Sequence, residues 1–138
     1  MKKIFFILFL FISIGILEAK QIIAHPTLEF YNKHLKDSTP IVDIRTPPEW
    51  RQTGILKGAV TIMFFDRRGN YDIKKFLKEL NEKVDTTKPF AIICHTGQRT
   101  SMVVPFLSDQ LGYTVVNLLG GMDEAAQNNL PIVPYTKR

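Results

Sequence analysis

Cysteine is nearly absent from this chain of 138 residues, which contains Cys94 and no other. A single cysteine cannot form an internal disulfide, so the class of small secreted domains held together by disulfides is excluded. There is no C-x-x-C or H-x-H pair, and His25 and His34 stand apart from other ligand types, so the sequence predicts no metal site. Stability must therefore come from an apolar core, which a chain of this length can supply.

A dense block of positive charge is also lacking. The formal net charge is +5, and the lysines and arginines are spread along the chain. The densest group lies on a predicted helix, interleaved with Glu79 and Glu82, and consists of Lys74, Lys75, Lys78 and Lys83. This pattern is typical of a solvated helix face, so we expect no nucleic-acid partner.

No apolar run reaches the length of a membrane-spanning helix, which needs about 20 residues. The longest, residues 4–17, has 14 residues; Lys2 and Lys3 precede it, and Ala19 supplies a small residue just after it. This order of charged, apolar and small residues is typical of a secretory signal. The sequence thus predicts a signal peptide over residues 1–19 and one domain over residues 20–138, with an uncleaved N-terminal anchor as the alternative.

Export has consequences for the location of the protein and for its single thiol. If the source is a Gram-negative bacterium, we expect the mature protein in the periplasm, with no membrane association beyond the signal peptide. No cysteine follows the leader, so a lipoprotein anchor at that point is excluded. A lone thiol in an oxidising compartment must be protected by burial, by local chemistry or by a reductant, so the role of Cys94 becomes the central question.

Segments with strand and helix character alternate along the chain. Strands are predicted at residues 21–23, 40–44, 59–63, 90–93 and 113–118. Helices are predicted at residues 26–35, from Thr46 to Gly54, and at 73–84, 100–111 and 123–128. In the first helix we expect Leu28, Tyr31 and Leu35 on one face. Strands that are apolar throughout are buried on both faces, which indicates an α/β fold of three layers around a mostly parallel sheet.

The stretch from Ile92 to Ser101, IICHTGQRTS, carries the chemistry. Cys94 directly follows a buried strand, and functional sites in open α/β sheets form at the carboxyl ends of strands. Gly97 permits a tight turn whose amide N–H groups point inward and, with the next helix N-terminus, attract an anion. The permanent charge of Arg99 favours the same outcome. This arrangement favours a reactive thiolate at Cys94, or a sulfur anion carried by it.

The spacing C-x-x-G-x-R resembles the active-site loop of the rhodanese-type sulfurtransferases, with Cys94, Gly97 and Arg99 in the defining positions. Two further motifs match that family at the right separations. Residues 42–59 contain VDIR, EW, G and GA, which look like its upstream D-x-R…E-[aromatic]…G…G-A signature, and residues 119–122, LGGM, look like its downstream turn. The resemblance spans residues 38–133, nearly the whole predicted domain.

Two positions depart from the family pattern. The segment Gly54 to Ala59 reads GILKGA where the family often has G-H-I-P-G-A, which leaves the local contacts there open. Ala125 stands where an aromatic residue commonly follows the Gly-Gly turn, so we expect looser packing at that place.

The resemblance implies a three-layer rhodanese-like fold and a sulfurtransferase that needs no metal or organic cofactor. It implies that Cys94 takes sulfane sulfur from thiosulfate or a similar donor as a persulfide. An acceptor then removes that sulfur, and the acceptor is cyanide or a thiol, including the thiol of another protein. The implied catalytic residue is Cys94, and the implied substrate-binding residues are His95, Thr96, Gly97, Gln98 and Arg99.

Other interpretations stay open for individual residues. Cys94 is alternatively a buried structural thiol, and Arg99 is alternatively a surface residue that pairs with an acid. His95 and Thr96 either line the pocket or simply face solvent. For Asp43 and Arg45, a structural ion pair near the loop is favoured over a direct role.

Three alternative functions share features with this pattern. Cysteine phosphatases have five residues between their cysteine and arginine, whereas four separate Cys94 from Arg99. A non-catalytic binding module of the same fold typically lacks the cysteine that this chain has. A persulfide carrier fed by a dedicated protein partner would use the same chemistry, and the sequence does not distinguish it from a free-standing enzyme.

Overall fold

Residues 18–137, which the computed structural model describes, form seven strands, five helices and a short π-helical turn. The strands are β1 (Gln21–Ala24), β2 (Ile41–Asp43), β3 (Ile55–Leu56), β4 (Val60–Thr61), β5 (Phe90–Ile93), β6 (Val115–Leu118) and β7 (Ile132–Val133). The helices are α1 (Leu28–Asp37), α2 (Pro47–Thr53), α3 (Ile73–Lys83), α4 (Gln98–Pro105) and α5 (Gly121–Gln127). The π-helical turn, Phe106–Gln110, continues α4. The predicted signal peptide, apart from Glu18 and Ala19, lies outside the described residues.

Five strands form one sheet in the order β1-β6-β5-β2-β4, and every pair of neighbours is parallel. β5 therefore lies at the centre, and β1 and β4 lie at the edges. Because all five strands run in one direction, their carboxyl ends meet at one edge of the sheet, where sites form in such folds. β3 and β7 form a separate antiparallel pair.

The core lies on both faces of this sheet. In β5, Phe90 and Ile92 pack into one apolar cluster, and Ala91 and Ile93 pack into the other. All four residues are completely buried. This alternation confirms the three-layer α/β architecture, because a strand covered by helices on both faces has no polar side.

Local sequence explains where α2 begins and ends. The backbone N–H and the hydroxyl of Thr46 both donate to the Glu49 carboxylate, at 2.9 and 2.8 Å. Pro47 then occupies the first helical position, where its missing N–H costs nothing. Gly54, with a φ of +74°, ends the helix as predicted. The helix start is thereby fixed beside the carboxyl end of β2.

The face of α1 that carries Leu28, Tyr31 and Leu35 is only partly buried. Leu28 and Leu35 are 46% and 56% exposed, whereas Tyr31 and His34 are buried. The helix is turned so that Tyr31 enters the core and donates its hydroxyl to the carbonyl of Lys57 at 2.8 Å. Within residues 18–137, no helix is both long enough and apolar enough to cross a membrane.

Candidate active site

Cys94 lies at the carboxyl end of the central strand β5, as the first residue of the loop that leads into α4. Its side chain is 1% exposed. The sulfur accepts a hydrogen bond from the Gly97 N–H at 3.2 Å, and it lies 3.8 Å from the hydroxyl oxygen of Thr100. Both contacts come from the following loop and the first turn of α4. A sulfur anion in this position would therefore meet an amide N–H and the positive end of a helix.

The shape of the loop depends on Gly97, which has a φ of +94° in the left-handed region. Its carbonyl accepts hydrogen bonds from the hydroxyls of Thr100 and Ser101, at 3.1 and 2.7 Å. A Cβ at this position would lie 3.0 Å from the backbone nitrogen of Gly120. Glycine is thus required twice, for the backbone angle and for the close approach of a second loop.

That second loop leads into α5 and forms the other wall of the site. The Met122 N–H donates to the Cys94 carbonyl at 2.8 Å, and the Asp123 N–H donates to the His95 carbonyl at 3.1 Å. A Cβ on Gly121 would lie 2.5 Å from the oxygen of each of these carbonyls. The Gly-Gly turn thus brings the α5 backbone directly against the cysteine loop.

Arg99 forms a bidentate ion pair with Glu49 of α2, with N–O distances of 2.9 and 2.6 Å. This bond, together with those from Thr46, lowers the pKa of Glu49 to about 2, while its partial burial acts in the opposite direction. The same bond raises the pKa of Arg99. The pair therefore stays charged at neutral pH and ties the start of α2 to the start of α4. The sequence left open whether Arg99 pairs with an acid, and this pairing is observed. A role of Arg99 in binding substrate stays a prediction.

The remaining predicted binding residues, His95, Thr96 and Gln98, are exposed. The His95 imidazole lies 2.8 Å from the carboxylate of Asp123, and both side chains are more than half exposed. A role of these three residues in binding a donor or acceptor stays a prediction.

Asp43 and Arg45 form a second ion pair, at the end of β2. Their N–O distance is 2.7 Å, and their side chains are 0% and 1% exposed. The guanidinium also donates to the Thr53 hydroxyl and the Gly54 carbonyl, each at 2.7 Å. This is the structural ion pair favoured from the sequence, and it joins β2 to the end of α2.

Sequence reasoning did not assign Glu49, Thr100 or Asp123 to the site. Glu49 was noted within the upstream motif, and its partner Arg99 is 50 positions away in the sequence. The described residues, 18–137, contain no group of three or more His, Cys, Asp or Glu side chains arranged to hold a metal ion.

Comparison with known proteins gives a consistent result. The family model described as the rhodanese-like domain matches residues 27–128. An uncharacterized protein of Rickettsia prowazekii is 32% identical over 107 residues, which cover 70% of this chain and 85% of that protein.

Two solved structures illustrate the shared fold. A protein of M. tuberculosis aligns with a TM-score of 0.68 at 18% identity, over 86% of this chain and all of the other. A rhodanese-like domain protein of Staphylococcus aureus aligns with a TM-score of 0.57 at 26% identity, over 83% of this chain and 98% of the other. These similarities confirm the fold expected from the three motifs.

Proposed function

The chain belongs to the rhodanese-like domain family, and on that basis we propose that it is a sulfurtransferase that carries sulfane sulfur on Cys94. The observation that supports this most directly is the hydrogen bond from the Gly97 N–H to the Cys94 sulfur, at the N-terminus of α4. Amide N–H groups and helix N-termini stabilise a negative sulfur and thereby activate a cysteine as a nucleophile.

In the first step, the Cys94 thiolate attacks the outer sulfur of thiosulfate or a similar donor. A new S–S bond forms at Cys94, the S–S bond of thiosulfate breaks, and its electron pair leaves with sulfite. In the second step, an acceptor thiolate or cyanide attacks the outer sulfur of the persulfide, and Cys94 leaves as a thiolate. Neither step requires a metal or an organic cofactor, and over the two steps together Cys94 returns to its starting oxidation state as a thiolate.

The residues around the sulfur have distinct parts in this proposal. The Gly97 amide and the N-terminus of α4 bind the sulfur anion. Arg99 keeps the loop in place through Glu49 and adds positive charge near the reacting sulfur, while His95, Thr96 and Gln98 form the surface that a donor or acceptor meets first. Because the sulfur of free Cys94 is almost fully buried, the outer sulfur of the persulfide would be the atom best placed to reach an acceptor.

The intact mass of the purified protein tests the proposal. The full chain and its Cys94→Ser variant are incubated with thiosulfate and measured without reductant. We expect a gain of about 32 Da, one sulfur atom, in the wild type alone. Thiocyanate released on addition of cyanide would complete the turnover.

Two other results have clear meanings. A sulfur adduct that forms with a polysulfide or persulfide donor, and not with thiosulfate, would identify the protein as a carrier fed by a partner. The absence of an adduct with every donor would overturn the proposal in favour of a non-catalytic binding module.

The proposal includes export through residues 1–19, supported by their order of charged, apolar and small residues. Cell fractionation tests this. Recovery in the exported fraction, with a mass lowered by the leader, would support cleavage, and recovery of the full-length chain from the cytoplasm would contradict export.

A further inference from the structure

Two adjoining cavities lie beside the carboxyl ends of β2 and β4. Their volumes are about 640 and 390 Å³, and both are bordered by Pro47, Met63, Asp66 and Asn70. We call the two together the basic groove, because its rim contains Arg51, Arg67, Arg68, Lys75, Lys83 and Lys137. None of these residues belongs to the cysteine loop.

The groove carries an excess of positive charge, with six basic side chains against the three acidic residues Asp66, Asp72 and Glu79. Each of these acids has a partner within the fold. Asp66 accepts from two backbone N–H groups of its own turn, Asp72 caps α3, and Glu79 lies 3.7 Å from Lys83. Among the residues described, Arg67 and Arg68 have no carboxylate within salt-bridge distance. Their charges are exposed and available to an anionic partner.

Aromatic rings form the floor of the groove. Trp50 packs against Tyr135 with 5.3 Å between ring centroids, and Phe64 stacks on Tyr71 at 5.7 Å. Tyr71 is 58% exposed, although it is a large aromatic side chain. An apolar, aromatic centre inside a rim rich in arginine is typical of surfaces that bind other proteins.

The groove and the cysteine loop open on the same edge of the sheet. β4 pairs with β2, and β2 pairs with β5, which ends at Cys94. Neighbouring strands lie about 4.8 Å apart, so the groove begins within a few side-chain lengths of the loop. A direct connection exists as well, since Thr46 lines the groove and donates to the Glu49 carboxylate that holds Arg99.

We propose that the basic groove docks an acidic segment of a protein partner whose thiol accepts sulfur from Cys94. This inference rests on the proposed sulfurtransferase function and adds the class of acceptor. The volumes far exceed what an ion as small as thiosulfate occupies, and they lie in the range of sites that hold larger ligands. The basic side chains are also spread along a surface and do not converge on one point, which fits an extended chain with several carboxylates.

The transfer itself is balanced without a further reactant. The partner's thiol releases its proton to solvent, and its thiolate attacks the outer sulfur of the Cys94 persulfide. A new S–S bond forms on the partner, the S–S bond at Cys94 breaks, and its electron pair remains on the Cys94 sulfur as a thiolate. Docking changes only how often the acceptor thiolate arrives in position.

Two synthetic peptides test this inference. They have equal length and one cysteine each, followed by glutamates in one and by glutamines in the other. The full-length protein is first loaded to a measured persulfide level, and the rate of sulfur transfer to each peptide is then followed by mass. We expect the acidic peptide to accept sulfur about 10-fold faster or more, because complementary charge raises the rate of encounter. At about 1 M salt, where charges are screened beyond about 3 Å, this preference should disappear.

Matched charge reversals locate the effect. Arg67→Glu with Arg68→Glu should abolish the preference for the acidic peptide and create one for a lysine-containing peptide. The same change in charge at Lys33 and Lys36, which are exposed on α1 and border neither cavity, should preserve it. Because every variant is loaded to the same level first, failure to load would count against the sulfurtransferase function and not against docking.

Three results would overturn the inference. Equal rates with both peptides in the loaded wild type would exclude docking by charge. A preference that survives reversal of Arg67 and Arg68 would place docking elsewhere. A single-stranded oligonucleotide that competes as well as a free acidic peptide of equal charge would indicate general polyanion binding. If the double reversal fails to fold, the milder Arg67→Gln with Arg68→Gln and the salt dependence of the wild type decide the question.

Discussion

At the scale of single residues, Gly121 is the position where the site tolerates least change. Its φ is +59°, and an added Cβ would lie 2.5 Å from the carbonyl oxygens of Cys94 and His95. These backbone atoms cannot move aside as a flexible side chain would. The two α5 N–H groups that bind the carbonyls would therefore be displaced together with the cysteine loop.

We predict that Gly121→Ala lowers the free energy of unfolding by about 2–4 kcal/mol, from left-handed strain and overpacking together. Gly112→Ala is the matched control, because Gly112 also has a positive φ, +76°, and nothing lies within 4 Å of its added Cβ. That variant should lose only about 1 kcal/mol. Urea unfolding measures both, and equal losses would show that close approach of α5 to the loop is not what requires glycine.

Single residues also show which predictions local sequence can support. The position of Cys94 at the end of a buried strand and the tight turn at Gly97 were both inferred from a short stretch, because each depends on neighbours within the loop. Local sequence did not show which side of α1 is buried: Leu28 and Leu35 fit a helical pattern and are nevertheless exposed, because burial is decided by distant parts of the chain.

At the scale of elements, the pair Glu49–Arg99 joins α2 to α4 across 50 positions of sequence. No local pattern predicts this contact, because it exists only when β2 and β5 are neighbours in the sheet. Local patterns also failed to predict β3 and β7. These two-residue strands pair with each other although they are far apart in the sequence. Elements of such length carry no periodicity to detect.

The Glu49–Arg99 pair predicts a pH dependence. The pKa of Glu49 falls from 4.5 to about 2 in the folded chain. Its stabilising effect is therefore fully present above about pH 4.5 and is lost as the pH falls towards 2. We expect Glu49→Gln to lower the free energy of unfolding by about 1–2 kcal/mol at pH 7, a value discounted for partial exposure, and by almost nothing near pH 2.

Urea unfolding at several pH values measures this difference between wild type and variant. Glu29→Gln, which neutralises an exposed acid in the first turn of α1, serves as the control. A loss from Glu49→Gln that is independent of pH, or that is matched by Glu29→Gln, would contradict the prediction.

The Asp43–Arg45 pair leads to a second prediction at this scale, since it connects β2 to α2 through Thr53 and Gly54. Removing one partner leaves a completely buried charge without compensation. We predict that Asp43→Asn lowers the free energy of unfolding by about 3–5 kcal/mol. In the double variant Asp43→Asn with Arg45→Met, the buried charge is gone, and a substantial part of that loss should be recovered. Denaturant titration of the three proteins checks this, and a double variant less stable than Asp43→Asn would refute it.

At the scale of the whole molecule, stability depends on two apolar clusters on opposite faces of one parallel sheet. Composition and the alternation of strands and helices were sufficient to predict this architecture, because a strand apolar on both faces fits few arrangements. The order of the strands was not predicted from those patterns. The second wall of the site, the exposed groove and the partner of Arg99 all depend on that order.

The presence of a single cysteine leads to one prediction about the thermal stability of the entire chain. Because no internal disulfide exists and the Cys94 side chain is buried, we expect Tm to be the same with and without dithiothreitol. Cys94→Ser should show the same lack of response. A wild-type Tm that shifts with reductant, and a variant Tm that does not, would reveal a reducible S–S bond at Cys94, and the intact mass would distinguish a persulfide from a disulfide between two chains.

The contacts of α5 with the cysteine loop determine how much of the chain must be synthesised before the site can be complete. The carbonyls of Cys94 and His95 accept hydrogen bonds from the N–H groups of residues 122 and 123, which are synthesised later than the loop itself. A growing chain that has reached Thr100 already contains Cys94 and lacks the wall that shapes its loop. The last quarter of the chain is therefore needed before the loop around Cys94 has both of its walls.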